Sequence, residues 1–416
     1  MDKLSNAWMV RGARSPTWGL ARDSHHPPGA GYTEGRPPID SPALYRSLGR
    51  RNGVTSSVID EALEQMRRVR SQGLTPVLTL GHLAHQTGAP YLYLRRVVQR
   101  RQDPYTEFSR PKRERGKSRT IAAPAPVLMD VQRWLLTNVV SPIPAHGASY
   151  AYQQGRSAVQ CAQLHLGASW LLKFDLHDFF HSVNERTVQS ILRAVGYNSL
   201  VSFEMARVCT RVPGGITWPH IRSAYQAIPG YSAPVLGYLP QGAPASGALA
   251  NLAARPMDEA LSSVADRYRM TYTRYADDMT FSTLRSLDRS TLTRCVSEIS
   301  AAVSDARFRL HRKKTRVVPP GARKIVLGLL VDGERLRLPR HTRRGLEDHV
   351  RGVAKFGIGA HVEHAGYSSL QGFVNHIDGL LAYGHGVDPA WSKPLAAQWE
   401  HLMNAAGLTA QERRLW

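Results

Sequence analysis

Two apolar, strand-length runs in this sequence end on aspartate, and no other feature narrows the possible folds as much. SWLLKF (169–174) leads directly into Asp175, and RMTYTRYADDMTFS (269–282) reads as two strands about a tight turn carrying Asp277 and Asp278. An adjacent pair of aspartates commonly sits harmlessly on a solvated turn. Here Tyr275, Ala276 and β-forming residues flank the pair, and a second acidic site lies 102 residues upstream (277 − 175), which makes coincidence a poor explanation. A hairpin turn with two aspartates, facing a third on a neighbouring strand, supplies what Mg²⁺ asks of a protein. Each ion takes one or two carboxylates and leaves its other positions to water and phosphate oxygen. Joining a nucleotide to a 3′-hydroxyl requires two such ions, so Asp175, Asp277 and Asp278 are the candidate catalytic and metal-binding residues.

Charge points the same way. Lys and Arg total 54 against 32 acids, a formal +22, and such an excess suits a polyanionic partner. Apolar residues at 42% leave room for an ordinary globular interior, and 416 residues are enough for two or three packed subdomains. The three cysteines, Cys161, Cys209 and Cys295, form no CxxC pair, against a zinc site or disulfide framework and in keeping with a reducing compartment. No apolar run is long enough to span a bilayer, and MDKLSNAWMVRGARSP lacks a secretory apolar stretch. A soluble cytoplasmic protein is expected.

Along the chain, residues 1–40 read as a basic arm rich in Gly, Pro, Arg and His. Ser56 or Ser57 is expected to cap a helix through Arg70, with Val58, Leu63, Met66 and Val69 on one face. LTLGHLAHQTGAPYLYLRRVV (78–98) has helix–turn–helix rhythm about Thr87-Gly88. The basic run 95–119 holds ten Lys/Arg against three acids with Tyr105 and Phe108 interleaved, which favours nucleic-acid or triphosphate contact over a merely solvated face. Residues 211–238 look like a loop insertion, 307–324 carry eight Lys/Arg and no acid, and IVLGLLV (325–331) reads as one buried strand. Beyond Pro339 about three helical segments are expected.

In order along the chain, FDLHDFFHSV, LPQGAPASGALANL (239–252), TRYADDMTFS, RLHRKKTRVV (309–318) and KIVLGLLVDG (324–333) resemble the blocks of a bacterial reverse transcriptase. The similarity spans roughly Leu78 to Leu402 and is greatest to retron enzymes. Those carry N-A-x-x-H and V-T-G markers, of which Ala162, His165, Val326 and Gly328 are retained while Cys161 and Leu327 depart. The resemblance implies that Asp175 and Asp277 bridge two Mg²⁺ ions with Asp278 in support, and that the Leu176 carbonyl is a further metal ligand. It also implies that Phe180 lies beneath the incoming sugar, on the opposite face from Phe179 if the strand continues. Lys117 and Arg119 would clamp the triphosphate, Gln241 and Gly242 would pack beneath nucleotide and template, and Lys314 would meet the pyrophosphate. Leu327 and Gly328 fall in the primer grip.

The implied fold is an α+β right-hand polymerase. Residues 1–77 would be a basic arm and helical extension, 78–338 fingers and palm with a ferredoxin-like antiparallel sheet, and 339–416 a helical thumb. The implied activity is RNA-directed synthesis of single-stranded DNA from a structured non-coding RNA, primed from a guanosine 2′-hydroxyl to give a branched msDNA. The implied partners are that RNA and its DNA product, deoxynucleoside triphosphates, and a toxin or effector protein in anti-phage defence, with no membrane. The rivals are another bacterial reverse transcriptase (defence-associated, diversity-generating or group II intron-like) and a non-catalytic RNA-binding protein of polymerase shape.

Overall fold

The structure, a computed structural model, describes residues 42–111, 118–213, 235–409 and 413. The basic arm, Lys117 and most of the 211–238 insertion lie outside the described residues. The chain divides into two compact units: 162–169 with 318 onward, and the described residues of 42–161 with 170–317.

The larger unit opens with α1 (Pro42–Arg51), α2 (Ser56–Ser71), α3 (Leu80–Thr87) and α4 (Tyr91–Val98). Thr55, not a serine, is the residue before α2. Ile59 turns inward with Leu63, Met66 and Val69, leaving Val58 exposed, because positions 59, 63 and 66 share the 3.6-residue stripe that 58 misses. The expected turn between α3 and α4 is present, with Gly88 left-handed at the helix end. The antiparallel hairpin β1 (Tyr105–Pro111) and β2 (Ser118–Pro124) follows. Then α5 (Pro126–Leu135) runs into a π-helical turn at Leu136–Val140, and α6 (Ala158–Gln163) crosses into the smaller unit.

The sheet that fixes the site comes next in the chain. Its strands are β3 (Trp170–Asp175), β4 (Thr271–Tyr275), β5 (Asp278–Thr283) and β6 (Arg316–Val318), in the spatial order β4-β5-β3-β6. Helices α7 (Glu185–Ala194), α8 (Ser199–Cys209), α9 (Ser246–Ala253) and α10 (Arg255–Arg267) separate β3 from β4, and α11 (Arg289–Asp305) separates β5 from β6. That order and connectivity are those of the ferredoxin-like split βαβ unit. Leu172, Phe174, Met279 and Phe281 are buried in one core with α5, α8, α9 and α10 residues, so the polar strand ends are left at the rim.

In the smaller unit, 325–331 is not one strand. It folds back on itself as β7 (Ile325–Val326) and β8 (Leu329–Leu330), paired antiparallel. Leu327 and Gly328 both take positive φ, 48° and 85°, the requirement of a two-residue type I′ turn. An apolar run hides such a turn because only one of its two residues is glycine. After Pro339 there are four helices, not three: α12 (Arg340–Phe356), α13 (Ile358–His364), α14 (Leu370–Val387) and α15 (Pro389–Ala405). Gly357 at φ 78° breaks the first pair apart. Phe373, Val374, Ile377, Trp399 and Met403 form their common core.

Candidate active site

Strand register places the acidic residues. β3 and β5 pair antiparallel so that Asp175 lies directly opposite Asp278, and Tyr275 opposite Asp278 closes the hairpin over Ala276 and Asp277. Asp277 is tied to the same strand end, since its carbonyl accepts from Leu176 N at 2.9 Å. Like charges directly opposite on neighbouring strands repel, and the site shows it. Burial, then the charges of Asp175 and Asp278, push the Asp277 carboxyl up to about 6. Burial raises Asp278 as well.

A cation relieves the repulsion in this structure, and it is Lys314. Its ammonium donates to both oxygens of Asp175 at 2.9 Å. His311 N bonds the Asp175 carbonyl at 2.7 Å, which anchors the short 3₁₀ turn Arg312–Lys314 against β3. Burial pulls the Lys314 amine down, but the bond to Asp175 and the charges of all three aspartates outweigh it and hold it above its ordinary value. No three His, Cys, Asp or Glu side chains among the described residues are arranged to hold a metal ion. Three carboxylates crowded at one strand end, with Asp277 raised by the charges of its two neighbours, are nonetheless a donor set suited to hard divalent cations.

The turn itself is strained and supported from beneath. Ala276 has φ 57°, the place where a two-residue hairpin usually puts glycine. Its carbonyl accepts from Arg274 Nη1 at 3.0 Å. Arg274 is fully buried, donates to Asp258 through Nε and Nη2 at 2.8 and 2.6 Å, and reaches Asn251 Oδ1 at 2.9 Å.

Around this centre the sequence-predicted residues are distributed as follows. Arg119 on β2 faces Arg110 on β1 in register, two cations side by side, and its buried Nε has no hydrogen-bond acceptor among the described residues. Gly242 has φ 117°, and a Cβ there would meet Ile121 Cγ2 at 2.7 Å and the Ala122 carbonyl at 3.0 Å. Its freedom therefore serves a close approach to β2, where Ala122 N also bonds the Gln241 carbonyl at 2.8 Å. Phe179 and Phe180 do not alternate along a strand. β3 stops at Asp175, Asp178 turns left-handed at φ 49°, and the two rings touch with centroids 5.5 Å apart. Phe179 is core and Phe180 half-buried.

The markers Ala162, His165, Val326, Leu327 and Gly328 belong to the smaller unit. There Gly167 N bonds the Val331 carbonyl at 2.8 Å, joining the 162–169 segment to the β7–β8 hairpin, and Ala162, His165 and Val326 are buried. The basic run 95–119 proves to be of mixed purpose. Arg100 is buried against Glu185 at 2.6 Å, and Arg95 lies 3.8 Å from Glu204, so these two serve packing.

Sequence reasoning passed over Arg274, Asp258, Asn251 and Tyr152. A charged residue inside the β-forming run TYTRY was the available signal for Arg274; nothing local marks its partner Asp258, sixteen residues earlier on α10. Tyr152 sits at φ 57° with its ring centroid 5.9 Å from that of Phe180.

Compared with known proteins, residues 110–329 match the family model described as "Reverse transcriptase (RNA-dependent DNA polymerase)". The chain is 34% identical to the Retron Mx162 reverse transcriptase of Myxococcus xanthus over 83% of its own length and 71% of that protein. It is 32% identical to the Retron Mx65 reverse transcriptase of the same organism, over 70% of this chain and 63% of that one. Among solved structures, telomerase from Candida albicans, in complex with a fragment of telomeric RNA, overlaps at a TM-score of 0.39 with 10% identity, over 76% of this chain and 66% of that one. That overlap is too loose to carry an argument.

Proposed function

This chain belongs to the reverse transcriptase family and is of the retron type, and from that premise we propose that it copies part of a structured non-coding RNA into single-stranded DNA. It is an RNA-directed DNA polymerase. In our reading the copy is primed from a guanosine 2′-hydroxyl and stays joined to its RNA, and the product serves anti-phage defence with an effector protein as partner. The observation that carries the polymerase reading is the register of Asp175 against Asp278 with Asp277 on the turn between β4 and β5.

Two Mg²⁺ ions held by these three carboxylates and the Leu176 carbonyl would lower the pKa of the attacking 3′-hydroxyl and neutralise the leaving pyrophosphate. The chain's own groups do the rest. Asp175, bonded to Lys314 at 2.9 Å, would be one of the metal ligands, and the Lys314 ammonium would meet the pyrophosphate. Arg119, facing Arg110 with an unmatched donor, takes phosphate oxygen together with Lys117, since guanidinium suits bidentate contact. Phe180 lies under the sugar and collides with a ribose 2′-hydroxyl. Gln241 and Gly242 line the nucleotide and template side, and the Leu327-Gly328 turn grips the primer. In this reading 78–338 supply fingers and palm and 339–416 the thumb, whose start adjoins the five arginines of 335–344, a docking surface for an RNA stem.

Asp175→Asn and Asp277→Asn keep shape and remove charge, so primer extension with Mg²⁺ and deoxynucleotides should fall by several orders of magnitude while RNA still binds. Extension at near wild-type rate by either variant removes the assignment. The DNA made by the complex with its copurifying RNA should resist release by ribonuclease and yield to an enzyme that cleaves 2′–5′ linkages. A free or protein-linked 5′ end would instead indicate another kind of bacterial reverse transcriptase. A wild-type protein that binds RNA and extends nothing would be a non-catalytic RNA-binding protein.

A further inference from the structure

Two rings rest against Phe180, and they are held very differently. Phe179 is 4% exposed and locked in the main core. Tyr152 is 50% exposed, stands in the loop between the π-helical turn and α6, and meets Phe180 edge-on at 63°. A bulky residue at φ 57° is strained, and such strain persists only where the surroundings impose it. What imposes it is α9. Position 247 is glycine, and a Cβ there would overlap Cγ and both Cδ atoms of the Tyr152 ring, so the helix leaves out a side chain where the ring lies.

The ring also borders a cavity of about 180 Å³, lined by Gln153, Ile143, Pro144, Asn251 and Leu252. Dense packing is therefore not what fixes Tyr152; its contacts with Gly247 and Phe180 are. Its hydroxyl, pushed up to about 12 by burial and then by the nearby charge of Asp277, with Arg119 opposing, stays a neutral phenol.

We propose that Tyr152 is a positioning residue for sugar selection: seated on Gly247, its ring backs Phe180 and prevents it from swinging away from a ribose 2′-hydroxyl. This rests on the reading of Phe180 as the residue beneath the sugar. The phenol oxygen has no part in it, and the ring is sufficient.

The test measures kcat/KM for dGTP and for GTP on poly(rC) primed with oligo(dG), using the full chain, and compares their ratio across variants. Phe180→Ala should lower the ratio most. Tyr152→Ala should lower it by about two- to tenfold, the factor an edge-on aromatic contact is ordinarily worth. The double variant should be no worse than Phe180→Ala alone, because Tyr152 acts only through that ring. Tyr152→Phe should keep the wild-type ratio, and Gly247→Ala should lower it by displacing the ring; Gly247→Ala decides the matter if Tyr152→Ala does not fold. An unchanged ratio in Tyr152→Ala or Gly247→Ala, with Phe180→Ala impaired, overturns the inference and leaves the Phe180 reading standing. A ratio unchanged in Phe180→Ala overturns both. Additive losses in the double variant, or a loss in Tyr152→Phe, would overturn the positioning role by assigning Tyr152 a contact of its own.

Discussion

Two buried arginine clusters lie in the larger unit, and they differ in what they are attached to. Arg274 meets Asp258 with both side chains wholly inaccessible, one cation against one anion, and its Nη1 donates to Asn251 and to the carbonyl of Ala276 in the aspartate turn. Arg100 and Arg207 share the single carboxylate of Glu185 at 2.6 and 3.4 Å, while Arg100 Nη1 donates to the carbonyls of Arg207 and Thr210 and Arg207 Nη1 to that of Val98. The first cluster ends on the strained turn that carries the candidate metal-binding aspartates. The second ties the ends of α4, α7 and α8 together. Similar burial and similar residue types thus serve geometry in one place and architecture in the other.

The largest effect expected is on stability, and both clusters should show it. Glu185→Ala strands two guanidinium groups and Asp258→Ala strands one. Each should cost about 3–5 kcal/mol, as loss of one partner of a buried pair does. Denaturant unfolding measures it, and a cost under about 1 kcal/mol at either position would mean water reaches that cluster.

Apolar replacement separates the two. Arg274→Met with Asp258→Leu should recover most of the stability, yet polymerisation should stay down about ten- to a hundredfold, because the Ala276 carbonyl has lost a charged donor. Arg100→Met, Arg207→Met and Glu185→Leu together should leave the rate per folded molecule near wild type. Equal effects on rate would erase the distinction drawn here.

A smaller effect separates buried from exposed basic residues. Arg312 and Lys313 are exposed. Changing both to Gln should reduce the log–log salt slope for RNA binding by up to about 1.4, at roughly 0.7 per single-strand phosphate contact. Arg100→Gln should weaken the fold and leave the slope alone.

The smallest effect belongs to the other unit, whose buried polar contact titrates. His349 Nδ1 and His361 Nε2 lie 3.0 Å apart, and a Cβ at Gly352 would overlap the His361 ring. Burial first, then the charges of His361 and His376, hold His349 below its ordinary value, with Asp348 opposing; burial lowers His361 and His376 too. Since the folded state binds these protons more weakly than the unfolded chain, their stability contribution is complete above about pH 6.5. It is lost as pH falls through that value toward the folded pKa values. The protection of α12 to α14 from hydrogen exchange, relative to the intrinsic rate at each pH, should therefore fall between pH 7 and pH 5, and His349→Gln should flatten the change. No pH dependence in the wild type would place these imidazoles in water.

Apolar runs ending on aspartate and a two-strand reading of 269–282 were enough, from the sequence by itself, to pick out the candidate carboxylates, because strand period and turn chemistry are local. The α+β polymerase fold was legible only through the resemblance of the ordered blocks to reverse transcriptases. Tertiary structure alone decided which charges are working surface and which are core. Arg100 and Arg119 sit in one basic run, yet Arg100 is sealed against Glu185, 85 residues away, while Arg119 faces another cation, Arg110, across the β1–β2 hairpin. The pairing of Arg274 with Asp258, the seat of Tyr152 on Gly247 and the placing of Lys314 over Asp175, 139 residues apart, are equally invisible in the linear chain. A charge's cost and role depend on what else is buried beside it, and sequence spacing carries no record of that once helices and strands have packed.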